Sequence, residues 1–274
     1  MNLSTITKQI FLLVLVNLFS CSKSDQLQRN ELFYNNDFES GDLDAISGAQ
    51  LMTYNNTTLL GNYNNDGFTL SLNNIGPHDY IYISFDLYIH GSWDGNYNGF
   101  ENDDRPDLWK MELGVPNSYF INYIFETTFS NSPCTSSYCL KQSFPNRYPH
   151  LNNPNTDAYN TGLERLCNDK FGGPTTLYKF EKTLSHSDSS AIFTFYDKLF
   201  QPNANKNGIN YAKCDESWSI DNLIVRIIKI YNTDIRKVGV IIKQAYSTQK
   251  LLQKINAFYR VYVKEGQTEV KVQD

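Results

Sequence analysis

The densest group of side chains able to do chemistry lies between residues 94 and 107. Asp94, Asn96, Glu101, Asp103, Asp104 and Asp107 sit there in a glycine-containing stretch flanked by Trp93 and Trp109. Carboxylate and amide oxygens beside an indole are the parts of a sugar site. The aromatic plane takes the C–H face of the ring, and Asp and Asn accept its hydroxyl protons. The same oxygens are hard ligands of the kind Ca²⁺ takes, although the D-x-[DN]-x-[DN]-G order of an EF-hand loop is absent. Trp93, Asp94, Asn96 and Asp107 are therefore expected to contact a ligand. The plainer reading is that Asp, Asn and Gly are the ordinary residues of a solvated loop. Trp109 and Trp218 are expected to face the core.

Catalytic spacing is missing. A retaining glycosidase needs two carboxylates about 5–5.5 Å apart, which on one strand means acids at i and i+2 or i+4. Glu39 and Asp42 are three apart and would point to opposite faces, and Asp86 is alone in its strand. His78, His90, His150 and His186 are scattered, without H-x-H or H-E-x-x-H spacing, so zinc chemistry is not expected. No G-x-S-x-G, P-loop or G-x-G-x-x-G is present. No catalytic residue is assigned.

The address is read from the other end of the chemistry. Lys8 precedes an apolar run from Ile10 to Phe19, which has signal-peptide length and is too short to span a bilayer comfortably. Residues 1–22 read as a signal, with two processing routes open. Ser20-Cys21-Ser22 is an ordinary small-residue cleavage site, while Leu18-Phe19-Ser20-Cys21 looks like a bacterial lipobox that would anchor Cys21 to lipid. Either route delivers the chain to an oxidising compartment, secreted or at the cell surface, and no other segment approaches a transmembrane span. Cys134, Cys139, Cys167 and Cys214 then remain, an even number that suggests two disulfides. Cys134 and Cys139 can close a small loop, which leaves Cys167–Cys214. The formal charge is −5 over 274 residues, so the chain lacks the electrostatic footprint of a nucleic-acid binder. Residues 230–274 carry a net of +4, leaving −9 for the rest.

The elements that must position these residues are strands. Tyr80 to His90 is the clearest, rich in aromatic and β-branched residues. Thr58-Leu-Leu-Gly, Phe68 to Leu72, Trp109 to Leu113, Tyr123 to Phe129, Leu177 to Leu184, Ala191 to Leu199 and Trp218 to Ile230 alternate in the same way. About ten strands without a helix predict an all-β, antiparallel β-sandwich of jelly-roll type over residues 32–229. Asn131 to Gly173, with Pro133, Pro145, Pro149 and Pro154, is expected to be a long excursion stapled by the disulfides. In the basic extension, 230–274, Val238, Ile241, Ile242, Ala245, Leu252, Ile255, Tyr259 and Val263 fall close to helical spacing. The end of that extension reads equally well as strand.

Five short motifs carry a resemblance. Asn36-Asp37-Phe38-Glu39-Ser40-Gly41-Asp42 opens the β region and Glu216-Ser217-Trp218-Ser219-Ile220-Asp221-Asn222-Leu223 closes it. Between them lie Phe85 to Asn96, Pro106-Asp107-Leu108-Trp109, and the pair Thr128-Phe129-Ser130-Asn131 and Gln142-Ser143-Phe144-Pro145. In this order the chain resembles exported jelly-roll domains of the carbohydrate-binding and concanavalin A-like kind, over roughly residues 33–228. The resemblance implies a structural calcium joining the first and last strands, with Asp37, Glu39 and Asp221 as ligands. First and last strands lie side by side in a jelly roll, which makes that convergence physically reasonable. The expectation is an exported, non-enzymatic binding or adhesion module for a glycan or an extracellular surface. A glycan-cleaving hydrolase of concanavalin-like fold and a purely structural surface protein are the alternatives.

Overall fold

A computed structural model describes residues 27–97, 105–114, 121–135, 138–167, 173–201, 204–206, 209–230, 258–264 and 267–273. The signal segment 1–22 and the helical expectation for 231–257 lie outside the described residues. In chain order the strands are β1 (Leu27–Asn36), β2 (Ile46–Ser47), β3 (Leu51–Tyr54), β4 (Thr57–Tyr63), β5 (Gly67–Leu72), β6 (Tyr80–Gly91) and β7 (Leu108–Gly114). There follow β8 (Ile121–Thr128), β9 (Asn160–Leu163), β10 (Thr175–Ser185), β11 (Ala191–Lys198), β12 (Asn205–Lys206) and β13 (Ile209–Asn210). A single helical turn, α1 (Ala212–Asp215), leads into β14 (Glu216–Ile230).

All but β12 and β13, which pair with each other, form two antiparallel sheets. The larger has seven strands, in the order β3-β4-β14-β6-β10-β9 with β1 also on β14; the smaller has five, in the order β2-β5-β11-β7-β8. The all-β sandwich expected from the alternation is what forms. β6 shows why: Ile81, Ile83, Phe85, Leu87 and Ile89 are buried in the core, while Tyr80, Tyr82, Ser84 and Tyr88 between them keep partial exposure. Period-2 alternation sends one set inward and the other onto the outer face of the sheet. β14 lies between β6 and the first strand, with Leu223 opposite Asn36 and Asp221 opposite Asp86. The first and last strands are therefore neighbours.

Trp109 of the five-stranded sheet meets Trp218 of the seven-stranded sheet edge to face at 5.8 Å, with both rings wholly buried. Phe85, Phe180 and Phe195 pack around Trp109. Both disulfides form as expected, Cys134–Cys139 and Cys167–Cys214. The second ties the long excursion to α1, immediately before Glu216.

Among its described residues that excursion contains one short strand, β9, so side chains must satisfy much of its backbone. Gln142 is fully buried and does so at four points. Its Oε1 accepts from the Ser130 and Asn155 amides, and its Nε2 donates to the Phe144 and Thr156 carbonyls. Asn131 likewise donates to the Ile89 and Gly91 carbonyls at the end of β6. The TFSN and QSFP motifs are thus staples of the loop.

Within the extension, β15 (Phe258–Lys264) and β16 (Gln267–Gln273) pair as an antiparallel hairpin. Strand, the second of the two readings of this stretch, is what these residues adopt. Tyr259 and Val263, read as part of a helical face, lie in β15. The hairpin belongs to a unit separate from Leu27–Ile230.

Candidate functional site

The outer face of the seven-stranded sheet carries the broadest set of groups that suit a polar ligand. Along β6, Tyr80, Tyr82 and Tyr88 are half-buried on that face, with Asp86 between them. Asp86 is held from both sides. Lys179 of β10, its cross-strand partner, donates to Oδ1 at 2.7 Å, and Asn222 donates from Nδ2 to Oδ2 at 3.0 Å. The Lys179 ammonium in turn lies 4.9 Å from the ring centre of Tyr159, which is 68% exposed. Tyr82 donates its hydroxyl to Glu181 of β10. Tyr54 packs edge-on against Tyr88 and His90 and donates across the sheet to the Glu164 carbonyl. The result is a strand-long row of tyrosines bordered by carboxylates, an amide and an ammonium.

Asp221 stands opposite Asp86 on β14. Burial raises its pKa to about 6, and the neighbouring charges of Asp86, Glu39 and Asp37 push the same way against the Asn222 amide. The three residues expected to share calcium are therefore close enough to feel one another. Asp37 and Glu39 are exposed. Glu39 commits Oε1 to the Thr57 hydroxyl and the Thr58 amide at 2.9 Å, and these bonds hold its carboxyl below its ordinary pKa. The set is all oxygen, as Ca²⁺ requires, but its carboxylates do not close into a compact trio.

The compact trio is elsewhere. Among the described residues, one group of three metal-ligating side chains gathers ligand atoms within 4.8 Å of one another: Asp94, Asp107 and Glu216. Asp94 follows the end of β6, Asp107 precedes β7, and Glu216 opens β14.

The residues expected to touch a glycan have other work. Trp93 is fully buried; it packs edge-on against Phe129 and donates Nε1–H to the Ser217 carbonyl. A ring so enclosed offers no face to a sugar, because the apolar indole is worth more in the core than on the loop. Asn96 accepts the Thr128 and Ser143 hydroxyls on Oδ1 and donates to the His150 carbonyl, so its amide pins the excursion. Asp107 is 1% exposed and accepts from the Asp94 amide at 2.8 Å. Glu101, Asp103 and Asp104 lie outside the described residues. Of the four expected ligand contacts, Asp94 and Asp107 come together, but in a buried acidic pocket.

Two features of these sites escaped the sequence reading. The Asp86–Asp221 pair joins strands 135 residues apart, so no single-strand spacing reveals it. Glu216 lies within the ESWSIDNL motif, but only the fold places it beside the loop acids.

No family model matches the chain, and no curated protein matches its sequence. Solved structures similar to it include a family 6 carbohydrate-binding module from a Cellvibrio mixtus lichenase in complex with cellotriose. It is 11% identical with a TM-score of 0.32, over 71% of this chain and 97% of that one. A non-crystalline-cellulose-specific module of family 28 is 12% identical with a TM-score of 0.30, over 76% of this chain and 97% of that one. A family GH115 4-O-methyl-α-glucuronidase with specificity for decorated arabinogalactans is 9% identical with a TM-score of 0.28, over 74% of this chain and 18% of the enzyme. At these values no site is carried across, and the functional reading stands on the chain's own geometry.

Proposed function

We propose that this protein is an exported, non-enzymatic glycan-binding module whose binding surface is the outer face of the seven-stranded sheet. The observation that carries the reading is the row of Tyr80, Tyr82 and Tyr88 along β6, with Asp86, Lys179 and Asn222 beside it. Aromatic rings on a rigid strand present apolar faces at fixed spacing, and the flanking polar groups supply directional hydrogen bonds. The two disulfides support export, since such bonds persist in oxidising compartments. The removed or lipidated signal at residues 1–22 belongs to the same reading.

A glycan array probed with the full mature chain tests it. Binding to at least one glycan class is expected, and Tyr88→Ala or Tyr82→Ala should weaken it about tenfold, equivalent to roughly 1.4 kcal/mol. Retention of full affinity in both variants would remove the surface from consideration.

A second reading is favoured by one observation. Asp86 and Asp221 are direct cross-strand partners, and opposed Cβ atoms in an antiparallel pair lie about 4.5–5.5 Å apart. A retaining glycosidase places two carboxyls about 5–5.5 Å apart, and neighbouring Cβ atoms allow such a separation here, with Asp221 raised toward an acid's role and Asp86 paired to Lys179. Release of reducing sugar from a bound glycan, lost in Asp221→Asn, would establish hydrolysis; binding without release supports the module.

A structural calcium joining Asp37, Glu39 and Asp221 is part of the proposal, supported by the mutual repulsion registered at Asp221. Chelator should lower the melting temperature of wild type by more than that of Asp221→Ala. Identical responses would dismiss this ion.

A further inference from the structure

The loop between β6 and β7 returns on itself so that both ends meet the start of β14. The Asp107 amide donates to the Gly95 carbonyl, and the Asp94 amide donates to Asp107 Oδ2. Asp107 Oδ1 also accepts from the Phe200 amide at 3.4 Å. Glu216 is brought to the same place by α1, whose Cys214 is bridged to Cys167. Three carboxylates from three separate segments thus share one pocket.

The pocket has the wrong charge for its burial. Asp107 is 1% and Glu216 3% exposed. The charges acting on the three are other carboxylates, Asp215 and Asp197 among them. Glu216 Oε2 is fully enclosed and has no hydrogen-bond partner among the described residues. An unsatisfied buried carboxylate oxygen costs several times what an ordinary hydrogen bond contributes. A fold that gathers two further carboxylates around that unpartnered oxygen calls for a cation.

We infer that Asp94, Asp107 and Glu216 bind a divalent cation of the Ca²⁺ class, at a site separate from the sheet face and from Asp221. The donors are all hard oxygens, with no imidazole or thiolate. The ligand oxygens lie within 4.8 Å of one another, close enough to share one ion at Ca²⁺–oxygen distances of roughly 2.3–2.6 Å. Three protein carboxylates at one buried point suit Ca²⁺, because Mg²⁺ dehydrates reluctantly and usually keeps several waters beside one or two carboxylates. Glu216 Oε2 gains its missing partner, and the ion fastens the β6–β7 loop to β14.

The experiment compares melting of the full chain, stripped by chelator and then returned to millimolar Ca²⁺, with Glu216→Gln and Asp94→Asn. In chelator, Glu216→Gln should melt at or above wild type, because it removes one charge from a repelling cluster. In Ca²⁺ the order should reverse, with the wild type gaining several degrees more than either variant. Calcium affinity at this site should fall at least a hundredfold in both variants and stay unchanged in Tyr88→Ala. A crossing of that kind cannot arise from a variant that merely folds poorly. The inference is overturned if Ca²⁺ shifts wild type and both variants equally, or shifts none of them. An equal response to Mg²⁺ would overturn the assignment to the Ca²⁺ class.

Discussion

Truncation of Trp218 to alanine should lower the unfolding free energy by about 3–5 kcal/mol, the range for removing a large aromatic side chain from a packed core. Trp218 is wholly buried on the inner face of β14 and lies 4.8 Å from Tyr63, 5.8 Å from Trp109 and 6.1 Å from Phe68 between ring centres. It therefore belongs to both halves of the sandwich at once. The void left by alanine cannot collapse, because its walls are strands held in register on both sides. Trp218→Phe should recover more than half of the loss. Denaturant titration of the three proteins measures this, and a loss below about 1 kcal/mol would mean that the two sheets are not joined through this ring.

The second large effect is a pH dependence set by His90. Its ring is fully buried on β6, where Nδ1 meets the Thr175 hydroxyl at 2.9 Å and Nε2 the Ser219 hydroxyl at 2.6 Å. A hydroxyl serves either tautomer as donor or acceptor, so neutral histidine is satisfied there. Protonation adds a charge that the enclosed site cannot solvate, and burial depresses the pKa from 6.5 to about 3. The unfolded chain takes up the proton first, so stability from this group is complete above pH 6.5 and is lost as pH falls toward 3. At 1.36 kcal/mol per unit, the loss attributable to His90 is on the order of 3 kcal/mol between pH 7 and 4.

Buried acids act in the opposite sense over the same range. Burial raises Asp94 and Asp107 to about 7 and Asp197 to about 6, so acidification relieves the folded state at those sites. The total curve therefore mixes both trends. His90→Gln, which keeps hydrogen-bonding groups but does not titrate, isolates the histidine. Wild type should lose more stability than His90→Gln on going from pH 7 to 4, and parallel curves would show that His90 does not govern the response.

The tyrosine row on β6 illustrates a limit on what a strand pattern says. Tyr80, Tyr82 and Tyr88 share parity in the sequence, opposite to Ile81, Ile83, Phe85, Leu87 and Ile89. Both sets are apolar enough to face a core, so alternation establishes a strand without saying which face is covered. Packing decides in favour of the aliphatic set, and the tyrosines become a surface. Trp93 makes the converse point. A tryptophan in a loop reads as a binding platform, yet the excursion stapled through Gln142 and Asn131 folds over it and encloses the ring.

What the sequence by itself determined are properties set by neighbours along the chain. Period-2 alternation specified the strands and hence the all-β class, and the cysteine spacing and number specified the two bridges. The burial of Trp109 and Trp218 followed from their place in those strands. Only the tertiary structure decided which acids meet. Asp86 faces Asp221, and Glu216 joins Asp94 and Asp107, because β14 inserts between β4 and β6 in one particular register. Register is a property of sheet pairing across more than a hundred residues, and a one-residue slip of β14 would send Glu216 and Asp221 to the opposite face.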